Sequence, residues 1–251
     1  MESLETELDR ARDLDVAELA DAIETIGFEC TRCGACCKAE TGCGGADGTA
    51  ADDDGSKSAD PHTATVFPDE IRRLQASDGT DYDFRDVARP MPYGLTEGPD
   101  GPEGETFEWA LQTDGCGDCT FYEETGGTGA CTVHEDRPLI CRTYPFSVAL
   151  GGTTQPMGEV VDSVAPEGDG EADEPDDGSG MVRAHECEGL GRDISRADAK
   201  ELAAALKERA VRELEEAIGV REQYQPVETA PGEVVVHDSE GQKRPDGTPR
   251  E

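Results

Sequence analysis

Apolar residues recur at helical spacing near the start of the chain. Leu4 and Leu8, then Leu19, Ile23 and Ile26, predict one broken helix or two short ones over residues 2–27. A longer stripe runs through Leu202, Leu206, Ala210, Leu214 and Ile218, one apolar position every four residues. It begins after "SRAD", where Ser195 and Asp198 stand like a capping box. Lys207, Arg209 and Arg212 alternate with Glu on the other faces, so residues 192–224 predict a helix that packs its apolar side on a core. Strand patterns fall at 63–67, 105–113 and 181–187, and "SVALGG" reads as a strand and turn. Pro68, with Asp69 and Glu70 behind it, opens a further helix, because its missing N–H costs nothing there and carboxylates suit that end of the dipole.

Other stretches lack any period. Residues 40–61 and 165–180 carry almost no large apolar side chain and read as flexible acidic insertions. "EGPDGPEG", residues 97–104, reads as a loop. "EVVVH" reads as an edge strand ahead of a polar tail. The class this predicts is α+β: a small, loop-rich domain with short strands and a long C-terminal helix, its ten cysteines available to a stapling metal. Its segments are a helical start at 1–27, a cysteine-bearing domain at 28–191, a packing helix at 192–224, and an edge strand and tail at 225–251.

Charge narrows the partners. The chain has 22 Lys and Arg against 58 Asp and Glu, a net charge of -36, and only 5 of its cations are Lys. Such a surface repels phosphates and anionic membranes, so neither nucleic acid nor membrane is an expected partner. Acid spread along the whole chain, with little Lys and few aromatics, has the halophilic character of a surface built for very high salt, where self-repulsion is screened. The opening "MESLETELDR" is charged and lacks an apolar signal region, and no apolar run approaches a membrane span. The expectation is a cytoplasmic protein with reduced cysteines.

Ten cysteines then change the picture. They stand at 30, 33, 36, 37, 43, 116, 119, 131, 141 and 187. In a reducing compartment they point to metal before disulfides. "CTRCGACC" packs four of them into eight residues, and its successive C-x2-C steps let a tight loop aim several sulfurs at one centre. The run resembles the start of a bacterial ferredoxin motif, but Cys37 directly follows Cys36 and no C-P appears. Adjacent side chains tend to diverge, so Cys36 and Cys37 are expected to serve different metal atoms or different sites.

The second region reads "CGDCTFYEETGGTGACTVHEDRPLICRTYPF". C-x2-C-x2-C-C followed by C-x-F, C-x-V and R-P-x-x-C-R-x-Y-P-F resembles the YkgJ-type cysteine cluster family. "CEGLG" at Cys187 and "VFPDEIRRL" are similar to further family elements, and the likeness covers roughly residues 28–191. Members are described as zinc- or iron-chelating domains or iron–sulfur cluster proteins, and the family includes the domain of flagellin lysine N-methylases. The resemblance implies metal ligation by Cys30, Cys33, Cys36, Cys37, Cys119, Cys131, Cys141 and Cys187. That set could form two four-ligand sites, or one site with spare thiols. Cys43 and Cys116 fall outside the pattern, with Cys116 a reserve ligand through its C-x2-C step with Cys119.

Flanking residues have physical roles of their own. Arg32, Arg137 and Arg142 sit beside cysteines and can offset thiolate charge. Pro138 and Pro145 stiffen the backbone around Cys141. Tyr144 and Phe146 read as local core, and His134 and His185 as exposed or hydrogen-bonded rather than ligands. The functions in competition are a protein that binds zinc or iron, an iron–sulfur protein (a 4Fe–4S cluster as cofactor) doing electron transfer or oxidoreductase chemistry, and a relative of the lysine N-methylases. No G-x-G-x-x-G, HExxH or Ser-His-Asp pattern supports an enzyme, and no catalytic residue is assigned.

Overall fold

A computed structural model describes residues 3–39, 61–77, 81–150, 157, 159–164 and 182–250. The acidic insertions, except Pro61, and Cys43 lie outside them. In chain order the helices are α1 (Leu4–Asp13), α2 (Val16–Ile26), α3 (Pro68–Gln75), α4 (Phe84–Val87), α5 (Leu139–Thr143) and α6 (Arg196–Gln223). The strands are β1 (Thr65–Val66), β2 (Ala88–Pro90), β3 (Leu95–Gly98), β4 (Gly101–Thr106), β5 (Trp109–Leu111), β6 (Tyr122–Thr125) and β7 (Thr128–Cys131). They continue as β8 (Phe146–Val148), β9 (Val160–Val164), β10 (Val182–His185), β11 (Val234–Asp238) and β12 (Gly241–Lys243). The class is α+β, with the long helix late in the chain. Among the described residues no helix is long and apolar enough to cross a membrane. The chain forms two compact units, Met1–Thr31 with Pro138–Gln223, and Arg32–Arg137 with Tyr224–Glu251.

The first unit is built on α6. Its predicted stripe packs against α1, α2 and α5. Leu206, Ala210 and Leu214 are buried in a core with Leu8, Leu19 and Ile23, while Leu202 and Ile218 are partly buried at its margin. The N-terminal apolar pattern resolves into two helices. Asp15 ends the ambiguity, because its carboxylate accepts from Ala17 N–H at 2.6 Å and caps α2. Ser195 starts α6 by accepting from Asp198 N–H at 3.2 Å, and its hydroxyl donates back to the Asp198 carboxylate at 2.6 Å. A small antiparallel sheet, β8-β10-β9, completes the unit.

Arg209 departs from the expectation of a polar helix face: it is 2% exposed. Its Nε donates to Glu213 at 2.7 Å, and Nη1 donates to the Thr143 hydroxyl at 3.0 Å and the Phe146 carbonyl at 3.3 Å. One turn of α6 supplies the counter-ion, so the guanidinium is charge-paired as well as hydrogen-bonded where it enters the core.

The second unit holds three sheets, with strand orders β1-β5-β2, β12-β11-β4-β3 and the β6-β7 hairpin. Two expectations are corrected here. Residues 97–104 belong largely to a hairpin, Leu95 opposite Gly104 and Gly98 opposite Gly101. Polar side chains gave no strand pattern, but β4 pairs in parallel with the buried Val234–Val236 run, which brings the apolar surface. Val234–Asp238 is accordingly no edge strand: it lies between β4 and β12, and the tail supplies β12. The expected 105–113 strand is two strands in different sheets, parted at Phe107 and Glu108. Trp109 is buried and donates its Nε1–H to the buried Asp238 carboxylate at 3.0 Å.

Two stability effects follow. Arg209→Ala strips the donor from Glu213, Thr143 and the Phe146 carbonyl and is expected to cost about 3 kcal/mol, seen as a lowered denaturant midpoint. Trp109→Phe keeps an aromatic ring but leaves the Asp238 carboxylate without that donor. It is expected to cost about 2 kcal/mol by the same measurement.

Candidate metal centre

The opening run folds into a tight turn. Arg32 (φ 58°) and Gly34 (φ 78°) both take left-handed backbone, and a 3-10 turn follows at Ala35–Cys37. Cys37 N–H closes it by donating to the Gly34 carbonyl at 2.8 Å. A side chain on Gly34 would be strained and would also collide, since a Cβ there would stand 2.2 Å from the Tyr122 hydroxyl oxygen. The Cys36 and Cys37 sulfurs end 3.8 Å apart, so these neighbours do not diverge.

The same unit brings more thiols to this turn. Cys119 N–H donates to the Cys37 carbonyl at 2.8 Å. Cys131 ends β7, in register with Tyr122 on β6. A two-residue Gly126-Gly127 turn (φ 63° and 81°) joins these strands. Sequence reasoning missed this hairpin, although Gly-Gly between two short β-suited runs is its usual signal. Cys36, Cys119 and Cys131 are near enough to influence one another's ionisation. The hydrogen bond with Cys37 lowers the Cys36 thiol to about 7, and the Arg137 charge helps. Burial pushes Cys119 up to about 11 and raises Cys131, which the same Arg137 opposes. Arg137 thus fits the charge-offsetting role, whereas Arg32 contributes its backbone.

The first unit carries Cys30, Cys141 and Cys187. Cys187 Sγ accepts from Gly189 N–H at 3.4 Å, a donor of the kind that supports metal thiolates. Glu29 N–H donates to the Gly189 carbonyl at 3.0 Å, and a Cβ on Gly189 would stand 2.2 Å from the Glu29 carbonyl oxygen. Glycine therefore lets the segments bearing Cys30 and Cys187 touch. Cys141 lies in α5 behind Pro138, and the Tyr144 hydroxyl after that helix donates to the Glu186 carbonyl beside Cys187. Phe146 is buried in the core, as expected.

The remaining candidates fall away. His185 is buried with its Nε2 2.8 Å from the Ser147 hydroxyl, and His134 is exposed with its Nδ1 3.4 Å from Glu135. Cys116 is disulfide-bonded, which removes it as a reserve ligand. None of the eight pattern cysteines lies in a disulfide, and their thiols are a donor set that suits zinc or iron. The fit is of chemistry more than of finished geometry. Among the described residues no three His, Cys, Asp or Glu side chains already form a metal cage, so a bound ion would require the sulfurs to close in.

The comparisons with known proteins agree with this chemistry. No curated protein and no solved structure matches the chain. Residues 29–188, more than half of the sequence, match the family described as "CxxCxxCC: Putative zinc- or iron-chelating domain". By that match, and by the cysteine pattern that runs through both units, the chain belongs to the CxxCxxCC family.

Proposed function

We propose that this protein binds a metal ion through thiolates, and that Cys36 and Cys37 share one ion in a tetrahedral site completed by Cys119 and Cys131. The observation that carries this is the 3.8 Å separation of the Cys36 and Cys37 sulfurs. Two thiolates on a tetrahedral zinc, with bonds of about 2.3 Å, stand about 3.8 Å apart. In a four-iron cubane each cysteine binds its own iron, which holds neighbouring thiolates further apart. The pair geometry thus favours a shared ion over two separate metal atoms. Cys33 is the fifth thiol of the same unit and the reserve ligand. When bound, the ion would cross-link segments far apart in sequence and contribute to folding free energy.

A second reading, an iron–sulfur centre, draws on the same all-sulfur donor set. A reducing, cytoplasmic setting belongs to the proposal, since thiols must stay unoxidised to bind.

Anaerobic purification with metal analysis and a visible spectrum tests the reading. Colourless protein with stoichiometric zinc, or iron without acid-labile sulfide, is the expected result. Brown protein with acid-labile sulfide would replace it by a cluster, and folded protein without metal would end both. Cys36→Ser and Cys37→Ser should each lose the same ion, with affinity falling more than the about 10–100-fold typical of changes outside the ligand set. If each variant lost a different ion, the shared site would be wrong.

A further inference from the structure

Tyr122 stands where the cysteine-bearing segments of the second unit meet. Its side chain lies against the backbone of the Cys33–Cys37 turn, closely enough that a Cβ on Gly34 would be 2.5 Å from the ring Cζ. It also covers Gly129 on β7, where a Cβ would be 2.7 Å from the ring Cε2 and 2.9 Å from the Arg32 carbonyl oxygen. Gly129 N–H donates to that Arg32 carbonyl at 2.8 Å, which ties the hairpin to the turn directly. Tyr122's own N–H donates to the Cys119 carbonyl at 2.9 Å, and its register partner across the hairpin is Cys131. One residue therefore touches, bonds or pairs with the segments of Cys33, Cys36, Cys37, Cys119 and Cys131.

The ring's polar end is held as firmly as its face. The Tyr122 hydroxyl donates to Glu124 Oε2 at 2.7 Å, and the same oxygen accepts from Lys38 Nζ. That ammonium also lies 5.2 Å from the centre of the Tyr122 ring. Lys38 directly follows Cys37, so the exit of the ligand turn is fastened to the hairpin through Tyr122 and Glu124.

We propose that Tyr122 is the positioning residue of the metal site, clamping the Cys33–Lys38 turn onto the β6–β7 hairpin so that the sulfurs begin near their bound places. The proposal rests on the metal-binding reading above. Loops ordered before the ion arrives lose less freedom when it binds, and that difference appears as affinity. Tyrosine suits the role because its flat ring slides over two glycines while its hydroxyl reaches the Lys38–Glu124 pair. A leucine could do neither.

The test compares Tyr122→Ala, Tyr122→Phe and Trp109→Phe in the full chain. Zinc affinity is measured by competition with a chromophoric chelator. In the metal-free protein, the rates at which Cys36 and Cys37 react with a disulfide reagent are read by mass spectrometry. Tyr122→Ala should lower zinc affinity about 10–100-fold and speed modification of both thiols. Tyr122→Phe should fall between it and the parent protein, because the ring stays on Gly34 and Gly129 while the hydroxyl bond is lost. Trp109→Phe, which weakens the same unit away from the turn, should leave zinc affinity unchanged. Parental affinity in Tyr122→Ala, or an equal loss in Trp109→Phe, would overturn the clamp. If the parent protein binds neither zinc nor iron, the metal reading fails by itself, and the thiol rates still judge the clamp: unchanged rates in Tyr122→Ala would sink it.

Discussion

Backbone packed directly on its neighbours is the constraint on which the cysteine-bearing parts depend. A turn that presents three thiols within five residues has little room for side chains on its inner side. Gly34 beneath Tyr122, and Gly189 against the Glu29 carbonyl, solve that problem in the two units by the same means. The absent side chain lets one cysteine segment lie on another, and backbone hydrogen bonds then fix the spacing. A methyl group at either position would overlap an atom 2.2 Å away, so the chain would have to shift there. The sulfurs' proximity is thus decided by residues with no metal chemistry of their own.

The strong negative charge bears on how cations are used. With few available, they sit where they join elements. Arg12 bonds Glu215, Arg196 reaches Asp21 and Glu24, and Arg221 reaches Glu5, so α6 is linked to α1 and α2 along its length. Each such exposed pair is worth about 0–1 kcal/mol and is weakened by salt. The apolar stripe of α6 carries the packing, and the pairs select its neighbours. Arg209 and Arg137 differ in kind: one is taken into the core and paired there with the partly exposed Glu213, and the other lends its field to Cys36 and Cys131.

Legibility in the sequence followed the range of the interaction. The α6 stripe, the Pro68 helix start and the two N-terminal helices are local patterns, and each appears where the spacing put it. Arg209 was misread because helical spacing marks a face and not what covers it. Residues 97–104 and Val234–Asp238 were misread because β4 and Val234–Asp238 pair with each other across more than a hundred residues, which no local pattern marks. The eight cysteines were singled out by the family resemblance, and among the described residues none of them lies in a disulfide. Their grouping was not legible, for five fall in one unit and three in the other.

The sequence by itself determined the α+β class, the long packing helix, the family and the donor chemistry, because propensity, periodicity and ligand spacing are properties of short stretches. Only the tertiary structure decided that the Cys36 and Cys37 sulfurs turn toward each other. The same holds for Tyr122 lying over the Cys33–Cys37 turn, for Arg209 entering a core, and for Val234–Asp238 running inside its sheet. Each of those depends on left-handed backbone angles or on partners distant in sequence, and no local pattern of side chains encodes where such partners will meet.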